Sequence, residues 1–157
     1  IKKVKTYDCQ LIEITGGEPL LQEQSIELMK KLIKNKYTVM LETGGSLPIT
    51  AVPEEVIKIV DFKCPSSKMK NKNDWNIIND LKENDEIKFV IGNREDYDWS
   101  KNKINQYNLK NKNLLFSPVH NTLDSKVLSE WILEDNLKVR LQIQIHKYIW
   151  DSKTTGI

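Results

Sequence analysis

Short apolar runs that suit β-strands alternate with amphipathic runs that suit helices along most of the chain. The strand-like runs are residues 10–15, 37–43, 59–64, 86–92, 113–118 and 138–150. Helical spacing, or a proline or capping residue at the start, predicts helices at 22–35, 53–58, 73–82 and 124–136, with a polar helix around Ile104. This alternation is typical of an α/β fold with a parallel sheet, open or curled into a partial barrel.

Composition limits the classes of function. The 157 residues carry 24 Lys and Arg against 22 Asp and Glu, so nothing favours nucleic acid or an anionic membrane as a partner. No apolar run approaches the roughly 18 residues of a membrane span. Cys9 and Cys64 are far apart, which argues against a disulfide framework and fits a reducing, cytoplasmic setting. We expect one domain, residues 1–150, and a loose tail, residues 151–157.

Polar residues recur on one face of the predicted strands, although strands of a parallel sheet are usually apolar on both faces. They are Glu13, Thr15, Glu42, Asp61, Lys63, Lys88, Arg140, Gln142, Gln144 and His146. A solvated sheet face would explain any single strand equally well. Because five strands share the pattern, we expect a concave, partly wet lumen, with helices on the apolar face. Ligands of such folds bind at the C-terminal strand ends, near which Glu42, Lys63 and His146 lie.

The segment from Thr15 to Pro19, TGGEP, follows the first predicted strand. Its two glycines permit positive φ angles and the close approach of a ligand, because neither carries a Cβ atom. Pro19 suits the first turn of a helix, and Glu18 can accept hydrogen bonds from a cationic amine. A tight turn between a strand and a helix explains the same residues about equally well.

Five stretches together resemble the 7-carboxy-7-deazaguanine synthase family of radical S-adenosylmethionine (SAM) enzymes. They are EITGGEPLLQ, LETGGSLP, DFKCPSS, KFVIG followed later by FSPV, and RLQIQIHKYIW. The first indicates only the radical SAM superfamily, whereas the Gln-x-His-Lys element of the last points to this family. The resemblance covers residues 10–150. It implies a partial (β/α) barrel of mostly parallel strands, of the radical SAM type, with its N-terminal part missing.

The resemblance also implies an activity. Family members contract the ring of 6-carboxy-5,6,7,8-tetrahydropterin to 7-carboxy-7-deazaguanine with loss of ammonia, a lyase step of queuosine and 7-deazapurine biosynthesis. SAM is cleaved at a [4Fe-4S] cluster, Mg²⁺ assists the rearrangement, and we expect a flavodoxin-like reductant and a homodimer. Three alternatives stay open: another radical SAM enzyme such as an activase, a non-enzymatic SAM- or pterin-binding domain, and a plain α/β domain with a solvated strand face.

The resemblance assigns candidate ligand contacts. Those to the substrate are Thr15, Glu42, Gln144, His146 and Lys147. Those to SAM are Gly16, Gly17, Glu18, Cys64, Pro65, Ser66, Ser117, Pro118, Val119 and His120. We expect Cys64 to touch SAM only through its backbone, because its thiol suits a buried apolar position. Glu42 and His146 also suit ordinary strand-end positions, and His120 also suits an exposed loop.

The Cys-x-x-x-Cys-x-x-Cys loop that holds the cluster in radical SAM enzymes is not found in this sequence. Cys9 and Cys64 cannot replace it, because the cluster needs three closely spaced thiolates. We therefore expect no metal ligand in this chain, and a barrel that lacks its N-terminal cluster segment. A chain that has lost the cluster and only binds a ligand is the alternative. On either interpretation, these 157 residues should form no 5′-deoxyadenosine from SAM after anaerobic reconstitution with iron and sulfide.

Overall fold

A computed structural model describes residues 1–150, which form one six-stranded parallel sheet with connecting helices. The strands are β1 (Leu11–Ile14), β2 (Thr38–Thr43), β3 (Ile57–Phe62), β4 (Glu86–Ile91), β5 (Asn113–Pro118) and β6 (Arg140–Leu141). Each strand pairs with the next in chain order. Right-handed crossovers in this order put every connection on the same face, so the sheet leaves its other face open. The predicted α/β fold with a parallel sheet is confirmed.

The helices are α1 (Gln24–Lys34), α2 (Arg94–Gln106), α3 (Ser125–Glu134) and the short α4 (His146–Ile149). The side chain of Asn93 caps α2 by accepting from the N–H of Asp96, and that of Asp124 caps α3 by accepting from the N–H of Lys126. Short 3₁₀ turns also occur, among them Pro19–Leu21 after β1 and Pro65–Ser67 after β3. No helix within residues 1–150 combines the length and apolar character needed to cross a membrane.

The two faces of the sheet differ in polarity, as the alternation predicted. On the helix-covered face, large side chains such as Leu41, Phe62, Phe89 and Phe116 are fully buried in the core. We call the opposite face the lumenal face; it carries Glu13, Glu42, Asp61, Lys88 and Ser117, and β3–β4 pairing places Asp61 directly beside Lys88. Charged side chains therefore lie beside one another on the face that the helices leave uncovered.

Two predicted helices differ from the structure. Residues 53–58 were expected to be helical, but turns lead into β3, which begins at Ile57. The β-branched residues Val56, Ile57, Ile59 and Val60 suit a strand better than a helix, and this preference outweighs the helix signal of Pro53. Residues 73–82 contain the 3₁₀ helix Trp75–Asp80 in place of an α-helix, with Asp74 as its cap.

Of the last predicted strand, residues 138–150, only Arg140–Leu141 is a strand, and the rest of the prediction is wrong. Strand β6 ends at Leu141, and the N–H of Gln142 makes one further bond to the carbonyl of Phe116 at 2.8 Å. In a parallel ladder the next bond would run from residue 118 to the carbonyl of Gln142. Residue 118 is Pro118, which has no N–H to donate, so pairing stops there. The chain then turns into α4, and the predicted tail, residues 151–157, lies outside the described residues.

Candidate active site at the C-terminal strand ends

Two adjoining cavities lie at the C-terminal ends of the strands and share Asp61 and Lys63 as common lining residues. The first has a volume of about 290 Å³ and is also lined by Thr15, Gly16, Gly17, Glu18, Glu42 and Ser46. The second has a volume of about 520 Å³ and is also lined by Cys64, Ser66, Val90, Gly92, Val119 and Gln144. Most of the predicted ligand contacts thus come together, although they are spread over more than a hundred residues of sequence.

The glycine turn after β1 forms one wall of the first cavity. Gly16 has a φ of 98° and Gly17 a φ of 58°, conformations that residues with a side chain rarely adopt. A Cβ atom at either position would have no neighbour within 4 Å. The glycines are therefore needed for the turn itself, and the backbone surface that they expose is open to a ligand.

The Glu18 carboxylate ties this turn to the end of β2. It accepts hydrogen bonds from the Thr43 hydroxyl at 2.9 Å, from the Gly44 N–H at 2.7 Å and from the Leu20 N–H at 3.1 Å. A Cβ atom at Gly44 would lie 3.2 Å from Glu18 Oε2, so a glycine there lets the N–H approach. Glu18 is thus a positioning residue in this structure, and its predicted contact with a ligand amine stays a prediction.

Two charged pairs lie on the lumenal face, and three of their four residues, Glu42, Asp61 and Lys63, line the cavities. Lys88 Nζ lies 2.8 Å from Glu42 Oε1, and Lys63 Nζ lies 2.6 Å from Asp61 Oδ2. The other carboxylate oxygen of Asp61 is buried and has no hydrogen-bond partner among residues 1–150. Burial raises the pKa of Asp61 in spite of the neighbouring Lys63. Burial, followed by repulsion from Glu42, likewise raises the pKa of Glu13.

Asp61, Lys63 and Lys88 were singled out in the sequence as polar strand residues, but not as ligand contacts. The structure shows that Asp61 and Lys63 touch both cavities. Their shared strand face was the only sequence signal for this position. A buried acceptor without a partner costs free energy, and a ligand that donates a hydrogen bond there would remove that cost.

The segment after β3 separates the second cavity from the core. Cys64 is 2 % exposed, and burial raises the pKa of its thiol to about 12. The thiol is therefore protonated at neutral pH, which suits the predicted apolar role and not a metal thiolate. Pro65 begins the 3₁₀ turn that carries Ser66 to the cavity.

The end of β5 contributes to more than one surface. Ser117 is fully buried, and its hydroxyl has no partner. Val119 lines the second cavity. Pro118 and His120 line a third cavity of about 510 Å³, and the His120 ring lies 5.5 Å from the ring of Tyr148.

His146 and Lys147 do not lie on the lumenal face, because the strand that was predicted to carry them ends at Leu141. Both belong to α4, where His146 is exposed and Lys147 is half-buried. The expected convergence of His146 with Glu42 and Lys63 is therefore wrong. Gln144, just before α4, still reaches the second cavity.

Within residues 1–150, no group of three or more His, Cys, Asp or Glu side chains is arranged to hold a metal ion. Cys9 is exposed and Cys64 is buried, and they lie in separate parts of the fold. The two thiols do not fit an iron–sulfur cluster, which needs three clustered thiolates. The glycine turn, in contrast, leaves bare backbone open to the first cavity.

A parallel sheet with this strand order and with cavities at its C-terminal strand ends has the fold of the radical SAM class. The structure of SuiB from Streptococcus suis, solved bound to S-adenosylmethionine, superimposes with a TM-score of 0.58 at 12 % sequence identity. The match covers 93 % of this chain and 42 % of that chain, and it shows the shared fold. The predicted fold type is confirmed.

No family model matches this sequence, but individual relatives do. The 7-carboxy-7-deazaguanine synthase of Koribacter versatilis is 41 % identical over 94 % of this chain and 72 % of its own length. That of Chlorobaculum tepidum is 38 % identical over 99 % of this chain and 72 % of its own length. The chain belongs to the 7-carboxy-7-deazaguanine synthase family. These relatives confirm the predicted family. Enzymes of this family are radical SAM lyases that use SAM and a [4Fe-4S] cluster.

Proposed function

We propose that this chain supplies the SAM- and substrate-binding barrel for the ring contraction of 6-carboxy-5,6,7,8-tetrahydropterin to 7-carboxy-7-deazaguanine, with loss of ammonia. The observation that carries the proposal is the pair of adjoining cavities joined by Asp61 and Lys63. Two ligands that must react with each other have to lie side by side, and two connected cavities offer room for both. Family membership supplies the identity of the two ligands.

The SAM seat, in this proposal, runs along the strand ends from the glycine turn to the end of β5. Gly16 and Gly17 offer bare backbone, and the unpaired Asp61 oxygen offers a buried acceptor for a cationic or N–H donor. The predicted contacts Cys64, Ser66 and Val119 line the second cavity, which adjoins the first. Pro65, Ser117, Pro118 and His120 belong to the same two strand ends and extend this seat.

The substrate seat is proposed on the lumenal face beside Thr15 and Glu42. Glu42 is held by Lys88 at 2.8 Å, so its carboxylate has a fixed position from which to accept hydrogen bonds from a pterin. Gln144 borders the neighbouring cavity. A contact from His146 or Lys147 requires that α4 approach the strand ends when the substrate binds.

When bound, SAM and the [4Fe-4S] cluster supply the radical chemistry of the reaction. The residues of this chain bind, orient and shield the reactants. Asp61 can keep a proton more readily than an ordinary aspartate, because burial raises its pKa. It can therefore act as either acceptor or donor toward a ligand nitrogen. We also propose a homodimer, a flavodoxin-like reductant and a cytoplasmic location, for which the family resemblance is the support.

A chimera tests the function directly. Residues 10–150 would replace the matching segment of the Koribacter versatilis synthase, followed by anaerobic loading with iron and sulfide. We expect the chimera to convert carboxytetrahydropterin into 7-carboxy-7-deazaguanine. The substitution Gly17→Val, which puts a branched side chain on the open turn, should abolish product, whereas Glu27→Gln on the exposed face of α1 should not.

Two outcomes would contradict the proposal. SAM cleavage by a folded chimera without formation of the deazaguanine would indicate another radical SAM reaction, such as that of an activase. SAM binding without cleavage in a cluster-loaded chimera would indicate a non-enzymatic binding domain. Light scattering of the 157-residue chain checks the homodimer separately.

A further inference from the structure

The Asp96 carboxylate is fully buried behind the wall of the second cavity. One oxygen accepts from the Ser66 N–H at 2.9 Å, and the other accepts from the Gly92 N–H at 2.9 Å and from the Ser66 hydroxyl. All three donors are neutral groups, and both oxygens are used. A buried carboxylate that is satisfied by backbone donors fixes those donors tightly, because losing any of them leaves charge unpaired.

The two segments that Asp96 joins both face the ligand side of the fold. Ser66 lies in the 3₁₀ turn after β3, and Gly92 follows the end of β4; both line the second cavity. A Cβ atom at Gly92 would lie 3.0 Å from Ser66 Oγ and 3.2 Å from Asp96 Oδ2. The three residues thus meet so closely that only glycine fits at position 92 without displacing a neighbour.

Helix α2 holds Asp96 in place through its N-terminal cap and contacts the segment after β3. Asp96 lies in its first turn, where the helix dipole favours a carboxylate, and its own N–H donates to the Asn93 cap at 3.0 Å. One turn further on, the buried Ser100 donates to the Asp96 carbonyl at 2.8 Å and lies 3.5 Å from the Cys64 thiol. The helix therefore supports the segment after β3 at both Cys64 and Ser66.

We propose that Asp96 is a positioning residue that pre-forms the SAM seat by holding Ser66 against Gly92. The inference rests on the proposed function, because it takes SAM as the occupant of this seat. Asp96 does not touch the cavity itself and acts through Ser66. A wall held in its bound shape before the ligand arrives loses less conformational entropy on binding, so affinity should depend on Asp96.

The test compares Asp96→Asn with Asp98→Asn in the 157-residue chain. Asp98 lies on the same helix and is half exposed, bonded only to Arg94 four residues earlier, so it is a matched control. SAM affinity is measured by isothermal titration calorimetry, and amide hydrogen exchange is measured at Cys64, Ser66 and Ser67. Asp96→Asn should weaken SAM binding at least tenfold and speed this exchange at least tenfold, with exchange in β2 and β3 unchanged. Asp98→Asn should change both by less than twofold.

A second variant keeps the proposal testable if Asp96→Asn does not fold. Ser66→Ala removes one of the three donors but keeps the backbone N–H, and it should weaken SAM binding about threefold. In a foldable Asp96→Asn background, Ser66→Ala should add little, because both changes release the same contact.

The outcomes separate the two proposals. If the unmodified chain binds SAM, and Asp96→Asn or Ser66→Ala binds it equally well with unchanged exchange, the positioning role is overturned and the proposed function stands. If the unmodified chain fails to bind SAM at millimolar concentration, the SAM seat itself is overturned, together with the role of Asp96.

Discussion

Strand β3 has a lysine–aspartate pair at each of its ends, and the two pairs serve different purposes. At the N-terminal end, Lys58 and Asp85 have side chains that are 4 % and 2 % exposed. At the C-terminal end, Lys63 and Asp61 have side chains that are 37 % and 9 % exposed. We call the buried Lys58–Asp85 pair the closed pair and the more exposed Lys63–Asp61 pair the open pair. The closed pair lies at the N-terminal edge of the sheet, and the open pair lies at the C-terminal edge beside the two cavities.

Both oxygens of the closed pair's carboxylate accept hydrogen bonds from within the fold. Asp85 accepts from the N–H of Lys58 at 2.8 Å and from the N–H of Lys82 at 2.9 Å, and Lys58 Nζ lies 3.3 Å from its second oxygen. Lys58 Nζ also donates to the carbonyl of Val56 at 2.9 Å. In the open pair, Asp61 keeps one oxygen unpaired. The charge of the closed pair is thus matched within the fold, whereas the open pair keeps an unpaired acceptor beside the proposed SAM seat.

The substitution Asp85→Asn should have the largest effect on stability. The amide places an NH₂ group against donors and leaves the Lys58 charge buried without a counter-charge, which costs about 3 kcal/mol of unfolding free energy. Urea denaturation followed by circular dichroism measures this loss. SAM affinity of the folded protein should stay unchanged, and a loss below about 1 kcal/mol would contradict the assigned role of this pair.

The matched substitution Asp61→Asn should lower SAM affinity and leave stability intact. We expect SAM binding to weaken about tenfold, which corresponds to about 1.4 kcal/mol, because one acceptor for the ligand is lost. Unfolding free energy should stay level or rise, since the variant buries no charge. Calorimetric titration measures the affinity. Equal SAM affinity in the variant and the unmodified chain would show that Asp61 has no contact with SAM.

The pH dependence of stability should separate the pairs further. Burial raises the folded-state pKa of Asp61 above its ordinary value of 3.8, so the folded protein binds this proton more tightly than the unfolded chain. The stabilisation that this proton provides is present at low pH and is lost as pH rises from 3.8 through the raised pKa. The advantage of Asp61→Asn in unfolding free energy should therefore grow with pH, by an amount on the order of 1 kcal/mol. Thermal melts of both proteins from pH 4 to 8 check this, and a constant difference would refute it.

The smallest effect is expected for Glu54→Gln. The Glu54 side chain is 86 % exposed and lies 2.9 Å from Lys82 Nζ. The backbone N–H of Lys82, in contrast, donates to Asp85 of the closed pair. A solvated ion pair contributes little, so the melting temperature should not change measurably. A decrease like that of Asp85→Asn would mean that the surface pair, and not the buried one, holds the base of the sheet.

Much of the fold could be predicted because its signals are local. Apolar runs located β1 to β5, alternation within strands separated the two faces, and a capping residue, Asp124 or Ser125, predicted the start of α3. The end of β6 could not be found in this way, because it depends on a missing N–H at Pro118 of the neighbouring strand. Tertiary pairing decides that boundary, and the alternation in residues 140–146 continues without it.

The candidate site was predictable to a similar degree. Gly16 and Gly17 stood out in a chain with six glycines. Glu18 accepts hydrogen bonds from Thr43 and Gly44, which lie some 25 residues further along the chain. Asp96 accepts from Ser66, which lies 30 residues earlier. No spacing rule connects such positions, so these two positioning carboxylates became visible only once the strand ends were brought together.

The strand order of the sheet has a consequence for how such enzymes diversify. Each strand neighbours the one that follows it in the chain. Each part of the rim at the C-terminal strand ends is therefore encoded by one continuous segment of the gene. A recombination event in a segment that connects two strands would exchange whole parts of this rim and leave one junction between the two parental sequences. Segments of this rim could be exchanged with a relative one at a time, provided that contacts between neighbouring segments, such as that of Asp96 with Ser66, are matched.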